Sequence, residues 1–382
     1  MVLSMVAEKT QLRIMHCGDI HLGGIYSSMS AEQSAFCRRR LHDGVCKCVQ
    51  SEIKDGVSVV LISGDLFDNY APDTSVVSAV IKLFSENPET SFVIAPGECD
   101  CNCSLFSSHV LPKNVFVFTS ASLKRITISK KNVAVYGWSM KKAHKTYPLA
   151  GRVSDSTPCL KLVVGHCDAD AEMSNYFSVL KEDIETFGAH YCAFSHQHYY
   201  KGVKTAGNCL YSSSGFFEGR NFDEPGFGGY IILQAENTDG KWNVTPFYKN
   251  FKEHRYEKIK INVDGCVSAS EVISRAVSEI SSRKYGENTT LQITFAGNVA
   301  PTVIIPQKPD ELVSLLFSVK IVNETLPLFD CGEILQDKTV LGSVFRRFYP
   351  QMNSQNKNKQ ISAAASFRTA YLALTGGDIK DA

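Results

Sequence analysis

Through the first 200 residues, near-continuous apolar runs of strand length alternate with stretches whose apolar positions recur at helical spacing. "LRIMHCGDIH" (12–21), "VSVVLISGD" (57–65) and "SFVIAPG" (91–97) are such runs, each closing on Gly, Asp or His as buried strands do. Between the first two, residues 32–54 place Phe36, Leu41, Val45, Val49 and Ile53 close to one helical face. Residues 74–84 repeat the pattern after Asp73, a residue type that caps helix N-termini. A β-α-β-α-β start predicts a layered α/β domain. Later strands at "NVFVF", "KRITIS", "VAVYGWSM", "LKLVVGH", "HYCAFSH", "NCLYSSSG" and "GYIILQAE" have few helices between them, so a mixed or antiparallel sheet is expected to pack on the first.

The pattern changes near residue 250. A helix over 268–284 lies between the strands "KIKINV" and "TLQITFAG", which predicts a smaller α+β domain over 251–327 after a first domain over 1–250. The tail, 328–382, holds "TVLGSVFRRFY", then the polar stretch "PQMNSQNKNKQ" (350–360), then an Ala-rich helix closing at Gly376 and Gly377, a residue type suited to a C-cap. Two short amphipathic segments joined by a polar linker are expected to move separately and to dock on a partner.

Composition narrows the class. The chain has 382 residues, 44% hydrophobic and 21% charged, enough for two or three domains at about 150 residues each. Lys+Arg 40 against Asp+Glu 39 leaves a net charge of +1, so overall charge does not point to nucleic acid or to an acidic substrate. Such a partner would have to meet local basic stretches, of which Arg38–Arg40, Lys130–Lys131 and Lys141–Lys145 are the candidates. The N-terminal apolar segment is too short for a secretory signal and no run of about 18 apolar residues occurs, so a cytoplasmic location without membrane contact is expected. The thirteen cysteines are read as reduced thiols, several of them (Cys17, Cys48, Cys192) in apolar runs. Cys99, Cys101 and Cys103 form C-x-C-x-C, which lacks the C-x2-C spacing of structural zinc sites.

The candidate chemistry gathers at strand ends. Asp19 and His21 follow the first strand as D-I-H, on one side of an extended backbone. Asp65 ends the second strand in G-D-L-F-D, Glu98 to Asp100 end the third, His166 ends "LKLVVGH", and His196 and His198 follow "YCAFS". In open α/β sheets ligands bind beyond the carboxyl ends of the strands, so these distant residues are expected to converge. Carboxylates and imidazoles in this number suit a two-metal site for hard to borderline divalent cations. His42, His109, His144, His190 and His254 are assigned structural or surface roles.

With these motifs in that order, the chain resembles the calcineurin-like metallophosphoesterases. More narrowly, "IMHCGDIHLGG", "LISGDLFDN", "APGECD", "VVGH", "FSHQHYYKG" and "YSSSGFFEGRNFDEPGFGGYIIL" resemble the exonuclease subunit of bacterial double-strand-break repair complexes, the SbcD type and its YhaO-like relatives. The resemblance covers about residues 12–250. It implies a four-layer β-sandwich flanked by helices, with the small α+β capping domain and the helical tail added to it. It also implies two divalent cations, manganese first, with magnesium, ferrous iron or zinc as alternatives. One would be held by Asp19, His21, Asp65 and His198 and the other by Asp65, Glu98, His166 and His196, with Asp65 bridging. Asp68 and Asp100 would orient ligands. DNA and a coiled-coil ATPase of the SMC type are the implied partners, and a homodimer is compatible with the class.

The chain departs from the family most at one loop. The family's G-N-H-D is here G-E-C-D, so Glu98 stands at the asparagine ligand and Cys99 at the catalytic histidine that assists the phosphate and its leaving group. A neutral thiol donates hydrogen bonds weakly, and a thiolate repels phosphate or acts as a soft ligand. Ser195 replaces the glycine of G-H-x-H, a milder change. Three functions therefore stand open: a DNA nuclease subunit, a weakened metal-binding scaffold, and a phosphodiesterase or phosphatase for other substrates. Phe216, Phe217 and Phe222 are read either as core residues or as contacts near DNA ends.

Overall fold

The computed structural model describes residues 10–26, 29–107, 111–140, 148–170 and 177–376. The chain divides into two units, Met1–His254 and Arg255–Ala382. In order, the first contains β1 (Thr10–Cys17), α1 (Ala31–Lys54), β2 (Val57–Ile62), α2 (Thr74–Ser85), β3 (Ser91–Ile94), β4 (Val115–Val117), β5 (Lys124–Ile128), β6 (Val133–Gly137), β7 (Leu160–His166), β8 (Asp168–Ala169), β9 (Ser178–Val179), α3 (Lys181–Phe187), β10 (Tyr191–Ser195), β11 (Lys204–Ala206), β12 (Cys209–Ser213), β13 (Gly229–Thr238) and β14 (Lys241–Asn250).

Two six-stranded sheets result, ordered β14-β13-β1-β2-β3-β4 and β11-β12-β10-β7-β6-β5. The apolar runs become parallel strands at the sheet centres: β1 to β4 run parallel in the first, and β6, β7, β10 and β12 in the second. Antiparallel strands lie outside them, β13 and β14 on one sheet and β5 and β11 on the other. Ile14, Val59, Leu61 and Val93 from the first sheet pack on Val135, Leu162, Val164 and Ala193 from the second. Alternate residues, Met15, Val60 and Ile62, turn the other way and meet Leu41, Val45, Val49 and Phe84 of the two helices. α3 closes the far side with Ile184 and Phe187 on Val163 and Phe194. The layers run helix, sheet, sheet, helix, the four-layer arrangement expected of the sequence.

Two local expectations change. α1 starts with a reciprocal cap, Gln33 N donating to Ser30 Oγ and Ser30 N to Gln33 Oε1. Its buried stripe passes through Cys37 and Leu41, and Phe36 is 48% exposed. Cys37 sits four residues before Leu41 and so shares its face, whereas five residues turn Phe36 towards solvent. At α2, Asp73 occupies the N-cap but makes no side-chain cap bond.

The second unit contains β15 (Arg255–Asn262), α4 (Ala269–Ser282), β16 (Thr289–Val299), α5 (Asp310–Val313), β17 (Ser318–Pro327), α6 (Cys331–Gln336), α7 (Val340–Met352) and α8 (Lys357–Thr375). Its three strands are parallel in chain order. α4, capped by Ser268, lays Val272, Ala276 and Ile280 on Ile261, Leu291 and Ile293. Where the sequence shows a polar stretch over 350–360, α7 runs on to Met352 with Pro350 inside it, and α8 begins at Lys357. Asn356 makes the early start possible, accepting the N–H groups of Asn358 and Lys359. The aromatic residues of the two tail segments share one core, with Phe345 and Phe367 rings 4.7 Å apart beside buried Phe329. The segments expected to move separately are thus packed together. Among the described residues no helix is long and apolar enough to cross a membrane.

Candidate metal centre

The loops after β1 and β2 are laced together by their backbones. Asp19 N donates to Gly64 O at 3.1 Å, while Ile20 N and His21 N both donate to Asp65 O, at 3.0 and 2.9 Å. The loop after β10 joins them, since His196 N donates to Asp19 Oδ2 at 3.0 Å. Asp19, His21, Asp65 and His196 all have positive φ, 46°, 50°, 45° and 99°. Such backbone costs non-glycine residues free energy and persists where surrounding structure imposes it.

Close approach fixes two glycines. A Cβ on Gly64, whose φ is +117°, would lie 2.2 Å from His166 Nδ1. One on Gly97 would lie 2.2 Å from Asp65 Oδ1 and 2.7 Å from Asp65 N, an atom that cannot swing aside. Gly97→Ala is therefore expected to displace the Asp65 carboxylate and to cost about 1 to 3 kcal/mol of stability, as overpacking does. Thermal unfolding and metal content measure both; an unchanged metal content would show that the loop yields without moving Asp65.

The side chains meet around Asp65. Its Oδ2 stands 3.8 Å from His21 Nε2 and 3.6 Å from His166 Nε2. These separations are too long for hydrogen bonds and near the roughly 3.3 to 3.6 Å between donors that share a tetrahedral cation at ~2.0 to 2.2 Å. Three sets of potential ligand atoms lie within 4.8 Å of one another: Asp19, His21 and His198; Asp19, Asp65 and His166; and His21, Asp65 and Cys99. Asp19 Oδ1 and both ring nitrogens of His21 are buried without hydrogen-bond partners. Buried polar atoms left unpaired are costly, and a cation would satisfy them. The residues present thus fit divalent metal. His196 Nδ1 lies 3.3 Å from His166 Nε2 and completes the imidazole cluster.

Charge and burial oppose each other here. Burial would raise the Asp65 carboxyl, but the His166 and His21 rings and the Cys99 N–H outweigh it and hold Asp65 below the usual range. Burial would likewise lower His166, yet Asp65, Asp19 and Asp100 raise it. Asp100 is pushed up to about 7, by burial first and then by Asp65. Its carboxylate accepts Gly97 N at 2.9 Å and Phe67 N at 3.1 Å, so it shapes the loop beneath the site.

Other contributors lie behind the ligand atoms, and the sequence signals only some of them. Asp68, nominated from the motif, places Oδ1 3.0 Å from His21 Nδ1, though off the line of a hydrogen bond. Arg220, not nominated, donates to that same oxygen at 2.5 Å and lies 3.4 Å from Glu224 Oε1. Glu224 in turn meets His198 Nδ1 at 2.6 Å. Burial would raise Glu224, but the bond to His198 and the Arg220 charge bring it down to about 2, and the same bond raises His198. The segment "EGRNFDEPG" offered the only clue, an acidic residue between glycines. His16 was also missed: it bridges Tyr191 Oη (3.0 Å), Ser63 Oγ (3.1 Å) and Phe194 O (3.0 Å) between the sheets. Burial lowers it to about 3, so it stays neutral. Ser195 Oγ lies 2.9 Å from His166 Nδ1, giving the extra hydroxyl a ring to orient.

The G-E-C-D loop divides. Glu98 is exposed and belongs to none of the three sets among the described residues, while Cys99 enters one. Cys99 N donates to Asp65 Oδ1 at 2.9 Å, which turns this residue inward. Cys101 and Cys103 are buried outside the sets, and all thirteen cysteines are free. His42 pairs with Asp43 at 3.0 Å, His190 accepts Lys161 N at 3.0 Å and His254 is buried; His109 and His144 lie outside the described residues. Phe216 and Phe217 are core residues, 5% and 0% exposed. Of the basic stretches, Arg40 is bound to buried Glu218 at 2.9 Å and Lys131 to Glu89 O at 2.8 Å, while Lys141–Lys145 lie outside the described residues.

Residues 12–200 match the family model for calcineurin-like phosphoesterases, so this stretch is a calcineurin-like metallophosphoesterase domain. That class implies metal-dependent hydrolysis of phosphoesters. The chain is also similar to vacuolar protein sorting 29 of Cryptosporidium parvum, at 12% identity and TM-score 0.30, over 63% of this chain and 98% of that one. Vps29 of Entamoeba histolytica is similar as well: a single mutant at 12% identity and TM-score 0.28, over 63% and 100% of the two chains, and a zinc complex at 10% and 0.27, over 63% and 99%. No curated protein matches the chain.

Proposed function

We propose that this chain hydrolyses phosphodiester bonds in DNA, as the exonuclease subunit of a repair complex with a coiled-coil ATPase of the SMC type. The observation that carries the hydrolytic part is Asp65, whose Oδ2 faces His21 and His166 at distances that leave room for cations. Two bound divalent cations would polarise the phosphate and lower the pKa of an attacking water. Asp19, His21, Asp65 and His198 would hold one and Asp65, His166 and His196 the other, with exposed Glu98 turning in from its loop to join the second. Manganese suits the carboxylate and imidazole donors. Asp68 and Glu224 orient His21 and His198, Asp100 holds the loop that carries Cys99, and Cys99 occupies the place of the family's catalytic histidine.

The DNA substrate is supported by the resemblance of the run of motifs to the SbcD type, including the segment that supplies Arg220 and Glu224. The aromatic core of the tail, formed by Phe329, Phe345 and Phe367, gives the second unit a folded element on which the ATPase would dock. A second proposal, a slow or inactive metal-binding scaffold, is favoured by one observation, the thiol at position 99.

The test is the purified chain with manganese on linear double-stranded and single-stranded DNA, beside a nitrophenyl phosphodiester. Shortening of DNA together with release of nitrophenol is expected. Release of nitrophenol with DNA left intact would reject the DNA substrate and keep the phosphodiesterase; no release at all would favour the scaffold.

A further inference from the structure

We propose that Cys99 is itself a metal ligand, and that the position it shares with His21 and Asp65 takes zinc. The inference rests on the metal-site reading above and deepens it. The ligand atoms of His21, Asp65 and Cys99 all lie within 4.8 Å of one another. The loop is pinned for this, since the Cys99 N–H donates to Asp65 Oδ1 at 2.9 Å and so sets the thiol beside the central carboxylate.

A second observation points to a ligand at the same place. His21 is 4% exposed; its Nδ1 lies 3.0 Å from Asp68 Oδ1, whereas its Nε2, the nitrogen that faces the site, has no hydrogen-bond partner. Its Nε2 faces Asp65 Oδ2 at 3.8 Å, across a gap and not through a bond. A buried imidazole left in that state is costly, and a cation between the three groups relieves it. The donor set then decides the metal. Imidazole and carboxylate accept manganese or zinc, but a thiolate added to them selects the softer ion, and Cys, His and Asp are all ordinary zinc ligands. On binding, the Cys99 S–H bond breaks, its proton leaves to solvent and its sulfur lone pair forms the metal bond; no oxidant or reductant is needed.

The experiment uses cobalt(II), a coloured stand-in for zinc, added to the full-length metal-free chain. The wild type is expected to show thiolate-to-cobalt charge-transfer absorption in the near ultraviolet. Cys99→Ser should bind cobalt without that band, and Cys99→His should keep cobalt's visible bands while losing the charge-transfer one. In competition, Cys99→Ser should weaken zinc by about 10- to 100-fold or more, the loss typical when a group supporting a metal site is removed, with manganese changing less. Cobalt bound to the wild type without the band would overturn the proposal and leave the metal site standing. The band persisting in Cys99→Ser would also overturn it, since another thiol would then be the source. No cobalt bound at all would overturn both this proposal and the metal-site reading.

Discussion

Asp65→Asn is expected to leave a folded protein that has lost both divalent cations and turns over phosphodiesters about 10⁴-fold more slowly or worse, the scale seen when one member of a group acting as a unit is removed. The substitution is chosen because asparagine keeps an oxygen where Asp65 Oδ1 accepts the Cys99 N–H at 2.9 Å. What disappears is the negative charge at Oδ2, which faces His21 Nε2 at 3.8 Å and His166 Nε2 at 3.6 Å. With that charge gone, two imidazole groups face a neutral amide, and the carboxylate that both positions would share is lost. Metal analysis and circular dichroism read the two halves of the expectation separately. Two ions per chain in a folded Asp65→Asn protein would show that Asp65 does not hold the pair together.

Much of this site was legible because of where strands stop. β1, β2, β3, β7 and β10 are apolar runs with abrupt polar endings, and parallel pairing brings the endings of neighbouring strands to one edge. Asp19, His21, Asp65, His166, His196 and His198 could therefore be named from position alone. Glu98 and Cys99 show the limit of that logic. Both follow β3, and spacing cannot say which of two adjacent side chains turns inward; the backbone bond from Cys99 to Asp65 decides it. Gly97 matters for the same reason, since the loop passes so near Asp65 that no Cβ fits.

Residues outside the strand ends were harder to see. His16 lies within an apolar strand, and its partners, Ser63 after β2 and Tyr191 and Phe194 on β10 of the other sheet, are brought to it only by the sandwich. The helical tail misled for a different reason. Its polar composition over 350–360 resembles a linker, but Asn356 caps a helix there, and the aromatic residues on either side pack into one core. Phe36 shows the smallest error of this kind, one residue off the buried stripe of α1.

Arg220→Ala is expected to weaken metal binding and turnover although Arg220 enters none of the three ligand sets. The guanidinium spans two carboxylates, donating to Asp68 Oδ1 at 2.5 Å and approaching Glu224 Oε1 at 3.4 Å, and the Arg220 N–H donates to Glu224 Oε2 at 2.8 Å. Each carboxylate faces a ring of the site, Asp68 at 3.0 Å from His21 Nδ1 and Glu224 at 2.6 Å from His198 Nδ1. The rings themselves are 5.5 Å apart, so one arginine braces both sides of a single pocket. Removing a partner behind a metal-binding histidine typically costs about 10- to 100-fold in affinity or activity, and here two histidines lose support at once. Arg220→Lys should restore little, because a single ammonium cannot hold two carboxylates in the geometry of a planar fork. The loss should appear in kcat and in metal affinity more than in KM, since no contact to substrate is removed. Combining Arg220→Ala with Glu224→Gln separates a shared brace from two independent effects: coupling of about 0.5 to 3 kcal/mol is expected for groups in one network. Strict additivity, or full activity in Arg220→Lys, would show that Arg220 supports the fold near the site and not the two histidines.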